Sequence, residues 1–76
     1  MNDNLSFLDS MSYGLEKYAG QSTHFRSDDL SRLFHLADEP EPREVIGSTS
    51  ISMDFSVDRV MALVKKSRDH MKRDYL

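Results

Sequence analysis

The sequence predicts a mainly α fold: a small three-helix single domain with a short β-hairpin or extended segment before the C-terminal helix. Three observations carry this expectation. Residues 55–75 hold the longest stretch of 3.6-residue apolar periodicity, opened by a capping serine. Two further amphipathic stretches each begin at Asp, Asn or Ser, the residues that favour helix starts. Ahead of the last helix, Ile51, Met53 and Phe55 alternate with Ser50, Ser52 and Asp54, which is the period of a strand. The expected elements are helices near 4–19, 27–38 and 56–74, with the extended or hairpin segment near 44–54.

The first helix starts at a cap supplied by Asp3 or Asn4. Leu5, Phe7, Leu8, Met11, Leu15 and Tyr18 supply its apolar positions. Gly14 in its middle costs roughly 1 kcal/mol relative to alanine and marks either a close approach or a kink. Gly20 stands where a C′ glycine ends a helix.

Residues 21–26 read as a short polar connection with one aromatic, Phe25. Ser27 is the expected cap of the second helix, with Asp28 and Asp29 placed in its first turn to complement the dipole. Leu30, Leu33, Phe34 and Ala37 make its buried face. A helix of this length is unstable alone in water, so it must pack on another.

The segment Asp38-Glu39-Pro40-Glu41-Pro42-Arg43-Glu44 is acidic and stiff, because residues preceding proline avoid helical dihedrals. It reads as a solvated connector or as an acidic contact loop. Gly47-Ser48 fits a two-residue type II′ turn joining residues 44–46 to 49–51. The alternative is an extended loop that tucks Ile51, Met53 and Phe55 into the core. No internal repeat is visible.

The last helix opens at Ser56, with Asp58 in the first turn and Phe55 and Val60 spaced as a hydrophobic staple. Val57, Val60, Met61 and Val64 form its apolar stripe. The stripe's next steps are Ser67 and Arg68, where the apolar face is expected to fail, resuming at Met71 and Tyr75. Five bases lie between: Lys65, Lys66, Arg68, Lys72 and Arg73. Bases at a helix C-terminus complement the dipole, and an exposed cluster of them also docks on acidic surfaces.

Composition bounds the function. Seventy-six residues make one domain with a modest core. The chain has no cysteine, so disulfides and thiolate zinc sites are excluded. No apolar run is long enough to span a membrane. The acidic, polar N-terminus lacks the features of a signal peptide, so the chain is read as a complete, short cytoplasmic protein. Residues 1–44 hold nine acids and four bases, and residues 45–76 hold four acids and six bases: −5 and +2 within a total of −3. That asymmetry steers partners, but a dedicated nucleic-acid binder is usually strongly basic.

No catalytic pattern is present. His24, His35 and His70 have no metal-ligand spacing, and no G-x-S-x-G or glycine-rich phosphate loop occurs. The acidic pairs are accounted for by a helix start and a solvated loop. No enzyme activity, cofactor or metal is expected. The expected function is binding of another macromolecule, most simply a protein, with Lys65, Arg68, Met71, Lys72, Arg73 and Tyr75 as contact residues and a homodimer as one form. One alternative is a DNA-binding accessory that uses the basic helix, or a strand-exchanged dimeric ribbon built on Thr49–Phe55 with Ser50 and Ser52 outward. A ribbon-helix-helix repressor is similar in that one strand and one helix, but its second helix has no counterpart here, and Asp54 would face the phosphates. A second alternative is a structural subunit of a larger assembly.

Overall fold

In the computed structural model, residues 3–47 and 51–74 are described, the last of them as backbone only. The described residues form, in order, α1 (Asp3–Ser12), a 3₁₀ turn (Leu15–Tyr18), β1 (Ser22–Arg26), α2 (Ser27–Leu36), α3 (Arg43–Ile46), β2 (Ser52–Ser56) and α4 (Val57–Asp74). The fold is mainly α with a two-stranded antiparallel sheet. α4 packs against both α1 and α2, and the two strands pair beneath them.

One core unites the elements. Leu8, Met11 and Leu15 come from the N-terminal part, and Leu30, Leu33, Phe34 and Ala37 from α2. Val45 comes from α3, Phe55 from β2, and Val57, Val60, Leu63 and Val64 from α4. On α2 and α4 these are positions that the apolar periodicity selects, whereas Leu5 and Tyr18, expected on the apolar face of the first helix, are exposed.

The N-terminal helix is shorter than 4–19. It stops at Ser12, and Gly14 adopts the left-handed conformation at φ 71°, which diverts the chain into the 3₁₀ turn. A residue without Cβ enters that region freely, so the glycine breaks the helix rather than merely weakening it.

Two local expectations are corrected. Residues 21–26 are not a loop: Ser22–Arg26 is a strand, with Thr23 and Phe25 turned inward and Ser22, His24 and Arg26 exposed. Residues 44–46 are not the first arm of a hairpin. Pro42 accepts the Val45 and Ile46 amides at 3.0 and 3.1 Å, and Arg43 accepts that of Gly47, closing one helical turn. Gly47 sits at φ −76°, whereas a type II′ turn needs a positive φ there. Ser48, Thr49 and Ser50 lie outside the described residues. The strand expected around 51–55 forms as β2, but it pairs with β1 within the same chain.

The ribbon reveals a repeat that the sequence hides. Ser22 pairs with Ser56, His24 with Asp54, and Arg26 with Ser52. Each strand runs straight into a helix, and the hydrogen bonds at the two ends match. The Ser27 amide donates to Ile51 O and the Val57 amide to Gln21 O, both at 3.0 Å. Superposing residue 25 on 55 and counting on brings together Phe25 and Phe55, Asp28 and Asp58, Leu30 and Val60, Leu33 and Leu63, Phe34 and Val64, and Ala37 and Ser67. From Leu30 onward every member of these apolar pairs is buried. The domain is therefore two strand–helix units related by an approximate two-fold axis through His24 and Asp54, with α1 packed across the second unit.

Candidate protein-binding surface on the last helix

α4 begins as the sequence indicates. Ser56 Oγ accepts the Arg59 amide at 3.3 Å, which satisfies one unpaired donor of the first turn. Asp58 accepts the Gly20 amide at 3.1 Å, so this acid ties the helix start to the approach of β1. The apolar stripe then continues further than expected. Ser67 is completely buried, and Met71 packs partly buried against the core. A small residue on the buried face lets the packed surface run on where a larger polar one would interrupt it. The Ser67 hydroxyl has no hydrogen-bond partner among the described residues.

The five bases separate into two groups. Lys66 Nζ lies 2.5 Å from Glu39, and Arg68 donates to Asp9 at 2.7 Å and to Ser12 Oγ at 3.5 Å. These two residues fasten α4 to the loop after α2 and to α1. Both pairs are partly exposed, so each contributes about 0–1 kcal/mol. Lys65, Lys72 and Arg73 are exposed and have no ionic partner among the described residues. Asp69 is exposed among them. Of the six expected contact residues, three thus face solvent, Arg68 is engaged at the edge of the helix, Met71 is half-buried, and Tyr75 lies outside the described residues.

Beside this strip the surface is hollowed. Ser12, Glu16, Met61, Val64, Lys65 and Arg68 line an open groove of ≈ 290 Å³. On another side of α4 a smaller hollow of ≈ 170 Å³ is bordered by Phe34, Glu39, Arg59, Ala62 and Leu63. Arg59 belongs to the packing there. Its guanidinium lies 4.6 Å from the centre of the Phe55 ring and 5.8 Å from that of Phe34, and the two rings meet edge to face at 6.0 Å. Sequence inspection missed Arg59, because nothing local marks a base that stacks on aromatics from two other elements.

The acidic loop turns largely back onto its own domain. Glu39 holds Lys66, Glu41 accepts the Ser31 hydroxyl at 2.7 Å, and Glu44 lies 3.9 Å from Arg59. At the centre of the ribbon, His24 Nε2 lies 3.2 Å from Asp54. Among the described residues no three His, Asp or Glu side chains come together as a metal site. No described helix is long and apolar enough to cross a membrane. No protein-family model matches the chain, and neither a curated protein nor a solved structure is significantly similar to it.

Proposed function

We propose that this is a small interaction protein, without catalysis of its own, that binds an acidic surface of another protein through the C-terminal half of α4. One observation carries the reading. The fold uses Lys66 and Arg68 for internal pairs and leaves Lys65, Lys72 and Arg73 solvent-facing and without an ionic partner among the described residues. Lys72 and Arg73 complement the helix dipole from the last turn and need no partner for it, whereas Lys65 lies too far up α4 for that role. Exposed charge of one sign raises the rate at which an oppositely charged partner arrives and sets its register. Met71 belongs to the same proposed face. Tyr75, which lies outside the described residues, is proposed as a contact on its sequence spacing alone, and a homodimer as one form to be tested. A cytoplasmic setting belongs to the proposal, and the lack of cysteine is compatible with a reducing compartment.

Nucleic acid is the less favoured partner. Asp69 interrupts the basic strip, and Asp54 stands on the exposed face of the ribbon with Asp28, Asp29 and Asp58 in the helix turns that follow its strands. Carboxylates so placed oppose phosphate.

The test is affinity capture with the wild-type chain and with a Lys65→Gln, Lys72→Gln, Arg73→Gln variant. Proteins retained by the first, lost by the second and released by salt support the reading. Equal retention by both refutes the basic strip. Tight, steeply salt-dependent binding of duplex DNA moves the contact to nucleic acid. Light scattering over a dilution series reads the homodimer directly.

A further inference from the structure

We infer that the groove between α1 and α4 seats one face of an acidic amphipathic helix supplied by the partner protein. The inference rests on the reading above and gives the partner a chemistry.

The groove lies where α1 ends: Ser12 is the last residue of that helix, and Glu16 belongs to the 3₁₀ turn beyond Gly14. Its floor is Met61 and Val64, and its basic rim is Lys65 and Arg68. At ≈ 290 Å³ and open to solvent it is small for a cofactor, but it takes one or two apolar side chains. Met61 is only half-buried, and an unbranched thioether adapts to whatever is laid on it. Met61, Lys65, Arg68 and Lys72 follow one another at i, i+4, i+7 and i+11, so they form a single stripe along α4. An apolar patch at one end of the stripe is continuous with unpaired positive charge at the other.

A helix laid along this stripe sets an apolar anchor over Met61 and Val64. Its acids, a turn or two further on, then reach Lys65 and Lys72. Glu16 lines the same groove and repels an acid placed inside it, which favours acids further along the stripe toward Lys72. A second copy of the chain is the wrong occupant: the apolar faces of α1, α2 and α4 are already in the core. Buried anchors supply most of the affinity in such interfaces, and exposed charges mostly the rate and orientation.

The experiment uses the whole chain and synthetic fluorescent peptides of about 18 residues, long enough to form a helix on the surface. One probe carries leucines at i, i+3, i+4 and i+7 with glutamates on the flanks. A second keeps the glutamates and replaces leucine by serine, and a third keeps the leucines and replaces glutamate by lysine. The first probe is expected to bind at least ~10-fold more tightly than either control, a difference anisotropy titration resolves. Its amide chemical-shift changes are expected to centre on Ser12, Glu16, Met61 and Lys65. Met61→Glu and, independently, Lys65→Glu at an exposed position are each expected to weaken it ~10-fold, with circular dichroism showing an unchanged fold.

If the serine probe binds as well as the leucine probe, or shifts centre on Lys72 and Arg73 alone, the groove is no anchor site and the basic strip stands without it. If the lysine probe binds as well as the first, both the acidic partner and the strip fail together. Anionic vesicles or duplex DNA that displace the first probe from the same residues overturn the assignment to a protein helix.

Discussion

Ser27 and Ile51 hold each other twice: the Ser27 amide donates to Ile51 O at 3.0 Å, and Ser27 Oγ accepts the Ile51 amide at 3.2 Å. A serine expected to cap its own helix instead extends the ribbon register by one residue. The side-chain oxygen stands in for a strand carbonyl just where the backbone of residue 27 has turned into α2. Ser27 is buried and Ile51 exposed, so the buried hydroxyl oxygen finds its partner at the end of the ribbon.

Ser27→Ala is therefore expected to destabilise the domain by about 0.5–1.5 kcal/mol, because the Ile51 amide loses its protein acceptor. For a domain of this size that lowers Tm by about 4–8 °C per kcal/mol. Hydrogen exchange separates this from loss of a helix cap. The Ile51 amide is expected to exchange faster while the first-turn amides of α2 are unchanged. The opposite pattern would mean that Ser27 caps α2 after all.

Gly14→Ala distinguishes the broken helix from a continuous one by sign. In a continuous helix over 4–19, alanine would stabilise by roughly 1 kcal/mol. At φ 71° a Cβ costs about 1–2 kcal/mol instead. A Cβ built there meets only the end of the flexible Lys17 side chain at 3.9 Å, so crowding does not enter. Urea denaturation is expected to show destabilisation, and a stabilised variant would restore the continuous helix.

α2, α4 and β2 were legible because their apolar residues recur at helix or strand period over enough positions to outweigh local noise. β1 was not. Its inward pair is only Thr23 and Phe25, and the strand that completes it lies beyond α2 and α3. α3 was misread because Val45 and Ile46 carry strand propensity, while the Pro42 carbonyl and the negative φ of Gly47 decide for a turn of helix. The repeat was hidden because only Ser22, Phe25, Asp28 and Leu33 find an identical residue at the matched position, and the buried pairs Leu30–Val60, Phe34–Val64 and Ala37–Ser67 differ in residue type. On the candidate surface, the bases themselves were plain. What the sequence did not disclose is which of them the fold consumes: Asp9 pairs with Arg68 across 59 positions and Glu39 with Lys66 across 27. Such pairings follow from the packing of whole elements and leave no local trace.

The approximate two-fold axis is imperfect in the core, and the imperfection has a measurable consequence. Phe55 is buried, meets Phe34 edge to face and lies under Arg59, whereas its counterpart Phe25 is only half-buried. Phe55→Ala is expected to cost about 3–5 kcal/mol, a large part of the stability of a domain this small. Phe25→Ala is expected to cost less than half as much, because part of its ring already meets solvent. Equal losses in urea titrations of the two variants would mean that the two units contribute to the core alike.

Ser67 occupies the position in the second unit that Ala37 occupies in the first, and both are fully buried. The alanine fills its site without a polar atom. The serine brings a hydroxyl that finds no partner among the described residues, and such a group gives up its hydration without compensation. Ser67→Ala removes that oxygen, leaves a space smaller than a methyl group and favours the helix by propensity as well. The variant is expected to be more stable than the wild type by about 1 kcal/mol, raising Tm by about 4–8 °C. A destabilised Ser67→Ala variant would mean that the hydroxyl is bonded in solution. If its stability rises while probe binding to the Met61–Lys72 stripe is unchanged, the buried serine serves neither the core nor the surface. Position 67 then marks only a tolerated departure from the pattern that Ala37 keeps.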